Sequence, residues 1–198
     1  MESMPKLDDV TFIERCIAGH RADQEQLARI CLPLVRKTVL LGYGNRSDAE
    51  DVTQKVLVAV FKDLKNLRNP AAFKPWLYRI AYNAIYSCGS RRSRLKALFI
   101  SDSDMDTRPA AAGITPEHAT MQTQLLERFS DHLARLKYKK RMAVTLSLFF
   151  GYVDSEIGNI MGCSTETAKK RVQAGRREFI RFVQNDSQLK GLIEEVAL

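Results

Sequence analysis

Lys169, Lys170, Arg171, Gln173, Arg176 and Arg177 crowd into one nine-residue window near the end of a 198-residue chain. Side chains of these types suit a polyanion. Lysine and arginine neutralise phosphates, and arginine, lysine and glutamine can donate to base edges in a duplex groove. A window this basic could also be an ordinary solvated helix face. The choice depends on the elements that hold it.

Those elements are legible in "DSEIGNIMGCSTETAKKRVQAGRREF", Asp154 to Phe179. Ile157, Ile160 and Met161 recur at spacings of three and four behind an acidic start at Asp154 and Glu156, which predicts a short helix with a favourable N-terminus. Gly162 can adopt the left-handed conformation that ends it, and Ser164 or Thr165 can cap a second helix. In that second helix Ala168, Val172, Gly175, Phe179 and Phe182 form one narrow stripe at ~100° per residue. Glu166, Lys170, Gln173 and Arg177 then face away from it, with Lys169 and Arg176 on one flank and Arg171 near the edge. This is the pattern of a helix-turn-helix whose second member enters the major groove.

The totals agree with a polyanionic partner. The formal charge is +8 and the sequence pI about 9.4. About 45% apolar content permits a packed core. Residues 1–98 hold 17 Lys/Arg against 10 Asp/Glu, residues 99–124 hold 1 against 4, and residues 125–198 hold 13 against 9, giving +7, −3 and +4. Two basic bodies flank an acidic tether. The tether text, "SDSDMDTRPAAAGITPE", is rich in Asp, Pro and Ala and nearly devoid of large apolar residues, as linkers are. The expected division is therefore a helical body over 1–98, a flexible acidic linker over 99–121 and a second helical body over 122–198.

Alternating strand patterns are absent from both bodies. The expected fold class is all-α: two small helical domains joined by a flexible linker, the C-terminal one a helix-turn-helix. Helices are predicted around 11–18, 22–41, 48–67 and 70–87 with a basic continuation to 98, then 122–135, 139–149, 154–161 and 165–183. Ser47-Asp48-Ala49-Glu50 fits a capping box at the start of the third.

Several function classes find no support. Glycine-rich phosphate loops and nucleophile–base groupings are missing, so no enzyme is expected. Cys16, Cys31, Cys88 and Cys163 are far apart, as are His20, His118 and His132, so no metal, no cofactor and no disulfide framework is expected. The cysteines read as small apolar residues in or near helix cores. "MESMPKLDD" lacks the features of a secretory signal, and no apolar run reaches membrane-span length, which leads to an expectation of a cytoplasmic protein without membrane insertion.

Two further stretches carry chemistry. On the predicted helix 48–67, Asp48, Asp51, Gln54, Lys55, Lys62 and Lys65 share one arc while Val52, Val56, Leu57, Val60, Phe61 and Leu64 occupy the rest. Directly after it, "NPAAFKPWLYRIAYNAIYSCGSRRSRLK" mixes Phe73, Trp76, Tyr78, Tyr82 and Tyr86 with Lys74, Arg79, Arg91, Arg92 and Arg94. That aromatic-plus-cation composition suits single-stranded nucleic acid. Trp76, Leu77 and Ile80 are expected in the core.

In these segments, "SDAEDVTQKVLVAVFKDLKNLRNPAAFKPWLYRIAYNAI" followed by the acidic linker and "GYVDSEIGNIMGCSTETAKKRVQAGRREF", the chain resembles the extracytoplasmic-function sigma factors of bacterial RNA polymerase. The resemblance implies that the acidic helix docks on the β′ clamp helices of core RNA polymerase, with Asp48, Asp51, Gln54 and Lys55 as contacts and the β subunit also engaged. It implies that Asn83, Tyr86, Ser87 and a loop at Cys88–Ser90 hold a flipped base of the minus-ten element, with Arg91 and Arg92 on phosphates. It further implies that the helix-turn-helix reads minus-thirty-five promoter DNA through Thr165, Glu166, Lys169, Lys170, Arg171, Gln173, Arg176 and Arg177. An anti-sigma factor is the remaining implied partner. Where relatives carry a longer segment before the basic cluster, this chain has only Ser87-Cys88-Gly89-Ser90. A stand-alone helix-turn-helix regulator with a helical sensor domain is the alternative, and a serine recombinase, which would need a strand-rich N-terminal domain, is a distant third.

Overall fold

The protein is described by a computed structural model covering residues 5–44, 48–99, 121–184, 186 and 189, with backbone alone for 90–99 and 121–124. Among these residues there are eight α-helices and no strand: α1 Val10–Ile17, α2 Arg21–Tyr43, α3 Ala49–Asp63, α4 Phe73–Phe99, α5 Met121–Ala134, α6 Tyr138–Val144, α7 Asp154–Met161 and α8 Thr165–Val183. The all-α expectation holds. The chain divides into two compact units, one formed by 1–39 with 48–99 and the other by 40–47 with 100–198.

In the first unit α1 starts at Asp9, whose carboxylate accepts from the Phe12 backbone N–H at 3.1 Å, and it buries Phe12, Ile13 and Cys16. Gly19, at φ +91°, ends the turn that leads into α2. The Gln24 side-chain amide donates to the Cys16 carbonyl at 2.8 Å, and Arg15 forks onto Asp23, so polar contacts join the first two helices. Leu27, Cys31 and Val35 of α2, Val52, Val56 and Val60 of α3, and Phe73, Leu77, Ala81 and Ile85 of α4 are buried. Their spacings of four are those of single helix faces.

Details depart from the sequence reading at helix ends. The predicted helix 48–67 stops at Asp63 and tightens into a 3₁₀ turn, Leu64–Asn66. Its N-cap position is Asp48, without a side-chain cap bond, while Ser47 of the expected capping box lies outside the described residues. Glu50, the other half of that box, pairs instead with Arg36 at 3.4 Å. A second 3₁₀ turn, Pro70–Ala72, leads into α4, its start capped by Asn69.

In the second unit Leu41, Leu133, Leu136, Val144, Phe179, Val183 and Leu189 form the core, with Phe129, Leu148, Phe149 and Phe182 packed around it. The predicted helix 139–149 is divided: α6 ends at Val144 and one π-helical turn, Thr145–Phe149, follows. Among the described residues of this unit Arg141 is a buried cation. Its guanidinium donates to the carbonyls of Leu133 (2.9 Å), Ala134 (2.7 Å), Leu136 (2.8 Å) and Tyr43 (2.6 Å), with Gly42 at 3.5 Å. Helix C-termini expose just such orphan carbonyls, and one planar five-donor group satisfies several together. Burial lowers Arg141 to about 10, so it stays charged at neutral pH. Gly44 sits against it at φ +72°, where an added Cβ would collide with Arg141 Nη1.

Candidate nucleic-acid interface

The turn between α7 and α8 is built from glycines and one hydroxyl. Gly162 closes α7 in the left-handed conformation, φ 62° and ψ 46°, as the sequence predicts. Of the two candidate caps, Ser164 takes the role, its Oγ accepting from the Thr167 N–H at 3.2 Å, and Thr165 becomes the first helical residue. Gly158 is the residue that the sequence reading missed. A Cβ there would lie 2.8 Å from the Cys163 carbonyl oxygen, so the turn can pass this close only over a glycine.

Helix α8 buries Ala168, Val172, Gly175, Phe179 and Val183, with Phe182 half-buried. Gly175 also has a packing reason. Its added Cβ would meet Val144 Cγ2 at 2.5 Å and the Lys140 carbonyl at 3.1 Å, so it sets how closely α6 approaches α8. Lys140 pairs with Glu178 across the same contact. Helix α8 is therefore backed by a fixed partner.

Thr165, Glu166, Lys169, Lys170, Gln173, Arg176 and Arg177 are all exposed. Lys170 lies 3.5 Å from Glu166 one turn before it; such exposed pairs are weak and exchange readily for another acceptor. Arg171 differs. It is half-buried and donates from Nη1 to Cys163 Sγ at 3.1 Å, so it folds back onto the turn rather than joining the outward group.

On α4 Arg79, Asn83, Tyr86 and Ser87 are exposed, spaced four, three and one apart and hence on one face. Ser87 Oγ donates to the Asn83 carbonyl at 2.9 Å, which leaves its lone pairs as acceptors. The expected loop at Cys88–Ser90 is not present: α4 continues through these residues to Phe99. No glycine-specific conformation or proline interrupts the segment, and one Gly89 is tolerated in a long helix at a cost of ~1 kcal/mol. The side chains of Arg91 and Arg92 lie outside the described residues. Trp76, expected in the core, is half-buried and tilted against Phe73 with ring centroids 5.7 Å apart, while Leu77 is buried and Ile80 half-buried.

On α3 Asp51, Gln54, Lys55 and Lys62 share the exposed face, and Asp48 at its start is half-buried. Val58, 67% exposed, lies in the middle of this polar stripe. An isolated exposed apolar residue is ordinary, but here it gives a charged face an apolar centre that the polar arc of the sequence reading left out. The cysteines divide in two: Cys16 and Cys31 are buried, and Cys88 and Cys163 half-buried. Burial pushes the Cys16 thiol up to about 11 and Cys31 to about 12, so neither supplies a thiolate near neutral pH. Among the described residues no group of three His, Cys, Asp or Glu side chains could hold a metal, and no helix is long and apolar enough to cross a membrane.

Residues 27–95 match the Sigma-70 region 2 family. An ECF RNA polymerase sigma factor, SigE, of Mycolicibacterium smegmatis is 31% identical over 144 residues, covering 73% of this chain; the alignment spans 55% of that relative's length. The ECF RNA polymerase sigma-E factor of Escherichia coli is 27% identical over 186 residues, covering 90% of this chain and 96% of the relative. Two solved structures share the fold with a TM-score of 0.62. One is the sigma factor RpoE in complex with the anti-sigma factor NepR from Bartonella quintana, at 23% identity over 83% of this chain and 98% of that one. The other is CnrH in complex with the cytosolic domain of CnrY, at 19% identity over 92% of this chain and the whole of that one.

Proposed function

The chain belongs to the extracytoplasmic-function sigma factors of RNA polymerase, and from that premise we propose that it binds core RNA polymerase and directs it to a restricted set of promoters. Members of this family are not enzymes. The observation that carries the reading is α8: a capped helix behind a glycine turn, clamped on its buried side and presenting Lys169, Lys170, Gln173, Arg176 and Arg177 to solvent.

The division of labour follows the chemistry of each exposed face. Residues 122–198 read minus-thirty-five duplex through Thr165, Glu166, Lys170, Gln173 and Arg177, while Lys169 and Arg176 contact phosphates. Arg171 contributes by holding the turn. Residues 1–98 bind the polymerase β′ clamp helices through Asp48, Asp51, Gln54 and Lys55, with Val58 adding apolar area, and take up the opened minus-ten strand through Asn83, Tyr86 and Ser87, with Arg91 and Arg92 on phosphates. The segment 99–121 tethers the two. Splitting recognition lets two weakly specific contacts become selective when polymerase fixes their spacing. Removing a base from the stack costs a few kcal/mol, which the α4 face and the polymerase must together offset.

The two similar structures are complexes, one with the anti-sigma factor NepR and one with the cytosolic domain of CnrY, and an anti-sigma factor is proposed as a partner here too. The site of action is the cytoplasm, where polymerase and DNA are. In vitro transcription on a promoter library tests the function: core enzyme plus this protein yields transcripts from a restricted sequence set. Specific duplex binding by the protein alone, without any promoter-selective transcript in the presence of core enzyme, would favour the stand-alone regulator.

A further inference from the structure

Beyond α8 the chain folds back onto α5. The Gln184 N–H donates to the Ile180 carbonyl at 2.9 Å, the Asp186 N–H to Val183 at 2.8 Å and the Leu189 N–H to Asp186 at 3.1 Å, and Leu189 is buried in the core of the second unit. Asp186 is gripped from the side. Its Oδ2 lies 3.1 Å from His132 Nε2, and Arg128 Nη1 donates to both of its carboxylate oxygens at 3.4 Å. The His132 and Asp186 side chains are only 16% and 15% exposed, so solvent screens this contact far less than the open Glu166–Lys170 pair.

Arg128, His132 and Arg135 are spaced four and three apart and stand on one face of α5. That face meets the end of α8. While Arg128 and His132 take Asp186, the Arg135 guanidinium lies 4.1 Å from the ring centroid of Phe182 in the last turn of α8. A helix C-terminus carries orphan carbonyls and the negative end of the macrodipole, which arginine and histidine side chains suit. Three supports then divide α8 along its length: the Ser164 cap at its start, the Gly175 contact with α6 in its middle and the Asp186 clasp at its end.

We propose that Asp186 is a positioning residue for duplex reading: gripped by Arg128 and His132, it holds the C-terminal half of α8 so that Arg177 meets the duplex in a fixed register. The proposal rests on the reading of α8 as the duplex-binding helix and adds to it a residue that touches no DNA. Lys170 lies six residues after Ser164 and Arg177 six before Val183. The cap therefore governs the first contact and the clasp the second.

A pair of double-mutant cycles on the full-length protein, assembled with core polymerase and read as affinity for a labelled promoter duplex beside a thermal melt, tests this division. Asp186→Ala should weaken duplex binding about tenfold, and in that background Arg177→Ala should add little, because the register on which Arg177 depends is already lost. Combined with Lys170→Ala, the two losses should multiply to within about twofold. Asp186→Asn keeps an acceptor for His132 and should recover part of the affinity. If the alanine variant fails to fold, the same cycles with Asp186→Asn should show the coupling to Arg177 in smaller size. A merely looser fold would affect every contact alike. Equal coupling to Arg177 and Lys170, coupling to neither, or wild-type duplex affinity in Asp186→Ala would each overturn the positioning role. If Arg177→Ala and Lys170→Ala both leave duplex affinity unchanged in the otherwise unaltered protein, the reading of α8 as the duplex-binding helix falls instead.

Discussion

Helices α4 and α8 each set a solvent-facing stripe on a buried one, yet the two stripes carry different chemistry. On α8 the exposed residues are five cations, Lys169, Lys170, Arg176, Arg177 and Arg181, with Thr165, Glu166 and Gln173 and no aromatic ring. On α4 a tyrosine shares the face with an asparagine, a serine and one arginine. Duplex DNA hides its base faces and offers phosphates and groove edges, so charge and side-chain donors suffice. An opened strand exposes base faces, and an aromatic ring then becomes useful. The supports differ accordingly: α8 is held by a glycine-close helix contact and an interhelical ion pair, whereas the α4 stripe is steadied within its own helix by Tyr82 and by the Ser87 back-bond to Asn83.

That contrast can be broken most severely through the support of the second unit. Arg141→Met should strand several buried carbonyls that the guanidinium now satisfies, and the expected destabilisation is about 3–5 kcal/mol. Gly44→Ala should disturb the same cluster from the other side, because its Cβ collides with the guanidinium and its φ is positive. Thermal melts of both variants should show the loss, with minus-thirty-five duplex binding falling alongside. A wild-type melt for Arg141→Met would mean that water replaces the guanidinium at little cost.

Gly175→Ala sharpens the comparison at a smaller scale. Alanine gains ~1 kcal/mol of intrinsic helix preference over glycine, but here the methyl meets Val144 Cγ2 and the Lys140 carbonyl. Overpacking of this kind typically costs about 1–3 kcal/mol, so a net loss is expected together with a shifted α8 and weaker duplex binding. Binding of the opened strand should be unaffected. A stabilised protein with unchanged duplex affinity would show that α6 yields easily.

The proposed base reading by α8 is the next step down, since its loss would change selectivity rather than folding. Gln173→Ala or Lys170→Ala should lose about 1–3 kcal/mol at one base position and change the preferred upstream sequence. Arg176→Ala should weaken binding evenly across sequences and reduce its salt dependence. Selection from a promoter library separates these outcomes. Unchanged preference in all three would reduce this face to a solvated one.

The sequence made the helix-turn-helix legible because each local signal agreed with the others: apolar spacing, Gly162 as a stop, Ser164 as a cap and an outward cationic face. α7 and α8 have the limits read from the residues. Tertiary requirements were not legible. Nothing near Arg141 announces that its partners are carbonyls, two of them nearly a hundred residues away. Gly158 and Gly175 owe their places to atoms of other turns and helices, which no local pattern encodes. The loop expected at Cys88–Ser90 came from the resemblance, while the local residues permit a continuous helix. Arg171 looked like a surface cation near the edge of the wheel, and its contact with Cys163 depends on the geometry of the turn.

The measurement that bears most directly on the central claim is competition for limiting core polymerase against a reference sigma factor, run with a thermal melt. Asp51 and Gln54 are exposed on α3, behind which Val52, Val56 and Val60 supply the core, so Asp51→Arg combined with Gln54→Ala should change stability by less than about 0.5 kcal/mol per site. A reversed charge buried at an interface costs roughly 2–5 kcal/mol, and less at a rim. The double variant should therefore melt like the wild type and lose both core polymerase and promoter-specific transcription. If it stays folded and competes with wild-type affinity, the α3 face is merely solvated and the proposed route of polymerase binding is wrong.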